Sequence, residues 1–189
     1  MEAKNEQIEG IRKEVDKIIG NIQQSAERGE QVDKVERQLF TELIKLGLHL
    51  IALYFNLLAK SSACREVSKR LRKQGCQSKG LFKASYWSVF GKLELWRSRF
   101  FPIGGGAGHC PLDEVAGLPE RCYSYVLDDW LGRAAAEGDY RQEAGQMERM
   151  LGHSFAGMIA QRCTERLSED IGTWPMPCGG RSIRGGKNG

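Results

Sequence analysis

Tyr86-Trp87-Ser88-Val89-Phe90-Gly91-Lys92-Leu93-Glu94-Leu95-Trp96-Arg97 is a stretch of this 189-residue chain in which the side-chain period is two. Aromatic and β-branched residues crowd its first half. Leu93 and Leu95 alternate with Lys92, Glu94 and Trp96 in its second half. Alternation sends successive side chains to opposite faces of a strand, and a glycine step between two such runs closes a hairpin. The expectation is two strands, near 84–89 and 92–100. The Phe90-Gly91 turn is neither Asn-Gly nor Asp-Gly, so its type stays open.

On either side of this stretch the period lengthens to that of a helix. Ile8, Ile11, Val15, Ile18, Ile19 and Ile22 recur in steps of three and four, which predicts an amphipathic helix over 3–26. Its near-heptad seam spans about two heptads, fewer than the three or four a coiled coil needs. After a break at Gly29, a second helix is expected over 31–59. It carries the apolar run Leu46-Gly47-Leu48-His49-Leu50-Ile51-Ala52-Leu53-Tyr54-Phe55-Asn56-Leu57-Leu58. The nearly apolar part is about 14 residues long, against the ~20 that cross a bilayer. His49 and Asn56 interrupt it, and Glu42 and Lys45 bound it. The reading is a helix buried on most faces, with no membrane.

Downstream, 102–118 is glycine-rich and reads as a loop. Pro119 is placed to open a helix over 119–136 that ends at Gly138. Asp139 caps a helix over 140–151 that stops at Gly152, and Ser154 caps another over 155–170. Gly172, Pro175 and Pro177 close the pattern, and the aperiodic segment 172–189 reads as a disordered tail. The expected fold is therefore mainly α. Its parts are a helical hairpin over 1–59 suited to oligomerisation, a basic linker over 60–83 that is partly helical at 62–73, a domain over 84–171, and the tail. That domain is the β-hairpin plus a three-helix unit resembling a helix-turn-helix.

The formal net charge is +4, with 41% hydrophobic and 28% charged residues, which excludes a wholly disordered or collagen-like chain. Charge is unevenly spread. Segment 60–83 holds Lys60, Arg65, Lys69, Arg70, Arg72, Lys73, Lys79 and Lys83 against Glu66 alone, a net +7. Such a block suits a polyanion, nucleic acid above all. A solvated linker between two folded parts accounts for it equally, and both readings stay open.

The first residues, Met1-Glu2-Ala3-Lys4-Asn5-Glu6, are polar and acidic with no apolar run. The six cysteines are widely spaced. The expectation is a cytoplasmic chain with free thiols. His109, Cys110, Cys122 and His153 lack the paired spacing of a structural zinc site, so no metal is expected. Gly104-Gly105-Gly106-Ala107-Gly108 lacks the Gly-Lys-Ser/Thr ending of a phosphate loop and reads as a connector. Asp128 and Asp129 are helical neighbours about 100° apart and do not converge on one ligand. No constellation for acid–base or nucleophilic catalysis stands out, and no cofactor is expected.

The helix-turn-helix reading rests on 139–170. Met147, Met150 and Leu151 form one inner face, and Ile159, Cys163 and Leu167 face back across Gly152-His153-Ser154. That leaves Gln161, Arg162, Thr164 and Arg166 on or beside the outer face. There an amide reads adenine edges and guanidinium groups read guanine or phosphate. A plain three-helix packing unit is the competing reading, because Glu165, Glu169 and Asp170 dilute the positive face.

Tyr86-Trp87-Ser88-Val89-Phe90-Gly91-Lys92-Leu93-Glu94-Leu95 with Arg97 resembles a hairpin of bacterial insertion-sequence transposases of the ISKra group. Pro111-Leu112-Asp113, Leu118-Pro119, Cys122-Tyr123-Ser124-Tyr125-Val126-Leu127 with Trp130, Tyr140 and Met150-Leu151-Gly152 are similar to the stretch that follows it in that group. Leu39-Phe40, Leu43-Ile44 and Leu46-Gly47-Leu48 match the preceding helix more loosely. The likeness covers about 36–167, and its specificity lies in the order and spacing of the pieces.

The resemblance implies the N-terminal, non-catalytic portion of a DDE-type transposase. The group's metal-binding carboxylates follow this region, and the chain departs from the pattern at about residue 168. No residue here therefore matches a catalytic one, and whether the chain is an enzyme stays open. The implied partner is DNA at transposon ends, with phosphate contacts from Lys69, Arg70, Arg72 and Lys73. Base contacts would come from the segment that Ser154 opens, through Gln161, Arg162, Thr164 and Arg166. A second copy or a catalytic transposase subunit is a further expected partner. The alternatives are a protein-interaction fragment that oligomerises through 3–26 and 31–59, or a non-functional remnant of an insertion sequence.

Overall fold

The two apolar periodicities at the start of the chain fold as two long helices, α1 (Glu2–Glu27) and α2 (Val32–Ala59). The break between them holds Gly29 at φ 63°, a left-handed conformation that glycine adopts without strain. The computed structural model describes residues 2–119, 123–137 and 140–152. Among these the fold is mainly α with one antiparallel two-stranded hairpin.

α1 and α2 run antiparallel and are joined by polar rungs. Gln7 bonds Asn56 at 3.0 Å, Glu14 bonds His49 at 2.7 Å, and Asn21 donates to Glu42 at 2.7 Å. Each rung lies seven residues from the next on both helices, so one register satisfies all three. Ile18, buried, lies between two rungs. Polar residues at seam positions select register at some cost in stability, because a slipped pairing would set them against apolar neighbours.

The expectation that α2 is buried on most faces is not met. Only Gly47 and Phe55 are buried, and Phe40, Leu43, Leu50, Tyr54 and Leu57 are exposed. By length and composition alone, α2 is also apolar enough to cross a membrane. The polar rungs occupy one of its faces, and a second face packs on the β-hairpin.

Segment 60–83 is more regular than a linker with a partial helix: the helix expected over 62–73 forms at those bounds, and a strand follows it. It holds α3 (Ser62–Lys73), capped by the Ser61 hydroxyl accepting from the Cys64 N–H, and the first half of a strand. The strands are β1 (Cys76–Ser88) and β2 (Gly91–Pro102), with Ser88 opposite Gly91 and Cys76 opposite Pro102. They are longer than the alternation indicated. Residues 77–83 are exposed on both faces of the ribbon, so no buried face imposed a period of two there.

Two more boundaries differ from expectation. The 102–118 loop contains a short helix, α4 (Pro111–Ala116), which ends at Gly117 with φ 60°. Pro119 does not open the next helix. The chain first passes through a bridge between Trp87 and Tyr123, and α5 (Tyr125–Glu137) starts at Ser124. The Ser124 N–H donates to the Trp87 carbonyl and its hydroxyl accepts from the Leu127 N–H, which makes Ser124 the better cap. α6 (Tyr140–Leu151) follows, and Gly152 ends it. The third helix expected over 155–170 and the tail over 172–189 lie outside the described residues.

The hairpin tip divides the core. Tyr86, Leu93 and Leu95 face Phe55 of α2, Cys64 of α3 and Leu112 of α4. Trp87 and Val89 face the opposite way, onto Tyr123, Leu127, Leu131, Met147 and Leu151. At the other end of the hairpin, Cys76 and Phe100 close on Leu71 and Val67 of α3. Arg97 pairs with Asp113 at 2.7 Å and ties β2 to α4.

Phe90 at the tip lies across Gly47 of α2. A Cβ added at Gly47 would sit 2.6 Å from Phe90 Cε1. Gly47→Ala should therefore destabilise the chain by about 1–3 kcal/mol through overpacking, despite a gain of roughly 1 kcal/mol in helix propensity. Phe90→Ala in the same chain should restore part of the loss. Urea unfolding of both single variants and the double variant measures the coupling, expected at about 1 kcal/mol or more.

Candidate nucleic-acid interface

α3 has two faces. Cys64, Val67 and Leu71 point inward, with Cys64 and Leu71 buried. Arg65, Lys69, Arg72 and Lys73 recur at helical spacing on the exposed side. Three cations fall in the last turn, where they offset the negative end of the helix dipole.

Not every cation in the block is free for a ligand. Both carboxylate oxygens of Glu114 accept from the Arg70 guanidinium at 2.5 Å, so Arg70 fastens α3 to α4. Lys83 pairs with Glu94 across the hairpin at 2.5 Å. Arg70 is therefore paired with Glu114 at the surface, unlike the other three cations assigned to phosphate. Among the described residues, Arg65, Lys69 and Lys73 have no carboxylate within ion-pair reach. The Arg72 guanidinium lies 5.9 Å from the Phe100 ring centroid and likewise has no acidic partner. Lys69, Arg72 and Lys73 thus sit together on one exposed helix face, with Arg65 one turn earlier.

The hairpin continues this surface. β1 begins three residues after α3 ends, and Gln77 to Lys83 are all exposed. The ladder slips between Ser78 and Leu81, where Lys79 and Gly80 (φ 96°) form a bulge. Leu81, Phe82 and Trp96 are exposed, and the Arg99 guanidinium lies 5.6 Å from the Phe82 ring centroid. A two-stranded ribbon is narrow enough for the major groove, and exposed aromatic rings beside cations offer bases a stacking surface.

Lys69, Arg72 and Lys73 are singled out from the sequence, Arg65 and Lys79 are counted only within the basic block, and Arg99 and Trp96 are not named as candidates. The recurrence of Arg65, Lys69, Arg72 and Lys73 opposite Cys64, Val67 and Leu71 was available as a signal. The alternation with Leu93 and Leu95 placed Trp96 outward, whereas Lys79 carried no signal, since residues 77–83 are exposed throughout. Ser154, Gln161, Arg162, Thr164 and Arg166 lie outside the described residues.

A cleft of about 980 Å³ opens between α2, the hairpin tip and α6, lined by Arg37, Lys45, Lys92 and Arg149 among others. It lies beside Gly152, from which the chain leads into residues outside the described set.

Among the described residues no group of three or more His, Cys, Asp or Glu could hold a metal ion. Cys64 and Cys76 are buried. Burial first, and then the Asp113 carboxylate, push the Cys110 thiol up to about 11. The arrangement offers charge and exposed aromatic surface, and Cys110 is no activated nucleophile. Comparison with protein-family models, curated proteins and solved structures finds no match to this chain.

With its pKa at about 11, Cys110 should be ionised in about one molecule per thousand at pH 8, against roughly a quarter of free cysteine. Its alkylation by iodoacetamide, followed by peptide mass spectrometry, should be slower than that of free cysteine by about 250-fold at that pH, in proportion to the thiolate fraction. The rate should keep rising up to about pH 11. In denaturant the difference should vanish.

Proposed function

We propose that this chain is the DNA-binding, non-catalytic N-terminal portion of a transposase similar to the ISKra group, acting in the cytoplasm on transposon ends. The observation that carries the reading is the exposed face of α3, where Arg65, Lys69, Arg72 and Lys73 stand without carboxylate partners among the described residues. The ordered likeness of 86–152 to that group supports it independently. Phosphate contacts belong to this face and to Lys79, with the hairpin ribbon entering a groove. Base contacts belong, on the same reading, to Gln161, Arg162, Thr164 and Arg166.

Phosphate neutralisation releases counterions, so affinity falls with salt at a log–log slope of about 0.9 per contact on duplex DNA. Replacing Arg65, Lys69, Arg72 and Lys73 by Ala should weaken binding to every duplex and flatten the slope by up to about 3.6. Arg70→Ala should leave the slope unchanged and cost stability instead, because Arg70 holds Glu114. An unchanged slope in the quadruple variant would remove α3 from the interface.

On this reading the metal-binding carboxylates of the resembled group lie beyond the likeness, which ends at about residue 168. The chain should therefore neither nick nor join DNA in Mg²⁺ or Mn²⁺. Cleavage of a supercoiled plasmid that is lost in Asp113→Asn or Asp128→Asn would overturn that part of the reading.

A further inference from the structure

The two flanks of the α1–α2 hairpin differ in a way the polar rungs make readable. The rungs place positions 7, 14 and 21 of α1 and 42, 49 and 56 of α2 at the seam. A helix turns about 100° per residue. In an antiparallel pair, one residue forward from the seam leads to the same flank on both helices. The residues there are Ile8, Val15 and Ile22 on α1, and Leu43, Leu50 and Leu57 on α2. All six are apolar.

One residue before each rung on α2 stand Thr41, Leu48 and Phe55. This is the flank on which Phe55 is buried and Leu48 packs against the β-hairpin core. On the forward flank the cover is confined, among the described residues, to its border, where Phe90 lies over Gly47; the rest stays exposed. Val15 is 38% exposed, Ile22 41%, Leu43 48% and Leu50 47%, and Ile19 and Tyr54 widen the surface.

We propose that this flank is a homodimer interface, in which the α1–α2 hairpins of two copies close into a four-helix bundle about a two-fold axis. The proposal is independent of the DNA reading. Three observations select a second copy as the occupant. First, the apolar residues repeat every seven positions on both helices, β-branched on α1 and leucine on α2. A two-fold axis that sets α1 against the partner's α2 pairs Ile and Val with Leu, the complementarity of knobs-into-holes packing.

Second, the dimensions match. Two helices of 26 and 28 residues are about 40 Å long, and a contact strip of about 10 Å on each gives about 800 Å² per copy. That is close to the ~800 Å² per partner of a standard stable interface. Third, the charge is wrong for a lipid surface. α1 carries Glu2, Glu6, Glu9, Glu14, Asp16 and Glu27 against Lys4, Arg12, Lys13 and Lys17. Helices that lie on membranes are rich in Lys and Arg.

The test is the mass of the whole chain by sedimentation velocity from low to high micromolar, with and without neutral phosphatidylcholine vesicles. The expected result is a species of twice the 21.2 kDa protomer mass. Leu43→Lys with Leu50→Lys should reduce it to a single protomer with unchanged helical circular dichroism, while Leu50→Met stays dimeric. If the double lysine variant loses its helical signal, Leu50→Gln and Val15→Thr each take its place and should raise the dissociation constant. A natural chain that is monomeric at high micromolar overturns the proposal, and co-sedimentation with vesicles would then assign the flank to lipid. A dimer of undiminished affinity in the folded variants overturns it as well.

Discussion

Phe90 rests on Gly47, and the packing of the hairpin tip on α2 starts from that contact. It seats the hairpin tip against α2 at the one position where the helix has no side chain to hold it off. Once seated, the tip has two faces to bury. Tyr86, Leu93 and Leu95 close over α2, α3 and α4, while Trp87 and Val89 receive α5 and α6. A two-stranded hairpin is marginal in water by itself. Here it persists because helices cover both faces of its tip. The middle of the ribbon, uncovered on either side, is left to solvent.

This division places the charges. α3 is anchored by Leu71 against Cys76 and Phe100 at the far end of the hairpin and by Arg70 to Glu114 of α4. Its other face can only point outward, so Arg65, Lys69, Arg72 and Lys73 become one surface. The same packing neutralises some cations and spares others. Arg97 is drawn to Asp113 and Lys83 to Glu94, whereas the outer face of α3 meets no carboxylate among the described residues. Net charge by segment could not make this distinction, because pairing depends on which elements become neighbours.

α1 and α2 are governed by a different constraint. Their rungs, Gln7 with Asn56, Glu14 with His49 and Asn21 with Glu42, hold only in one register, so polar residues give this seam its alignment. With one face of α2 given to the rungs and another to the hairpin core, a third remains apolar and, among the described residues, largely open. A helix of this composition looks from sequence like a core helix or a membrane span. Two of its faces are taken by protein contacts and, among the described residues, the third is not.

Several features were legible in the residues themselves because they depend on local spacing. The recurrence of Ile8, Ile11, Val15, Ile18 and Ile22 fixed a helix, the alternation at Leu93 and Leu95 fixed a strand, and Gly29 and Gly152 ended helices through their backbone freedom. The mainly helical fold with one hairpin followed from these. The start of α5 at Ser124, after Pro119 had promised an earlier one, depended on the Trp87 carbonyl being within reach. The reach of the hairpin back to Cys76 depended on Leu71. The exposure of α2 depended on how many neighbours assembled around it, and the loss of Arg70 to Glu114 on α3 and α4 meeting across 44 residues of chain. Periodicity states which face of an element is apolar. Only the assembled elements decide whether that face is covered, and which charges stay free to meet a partner.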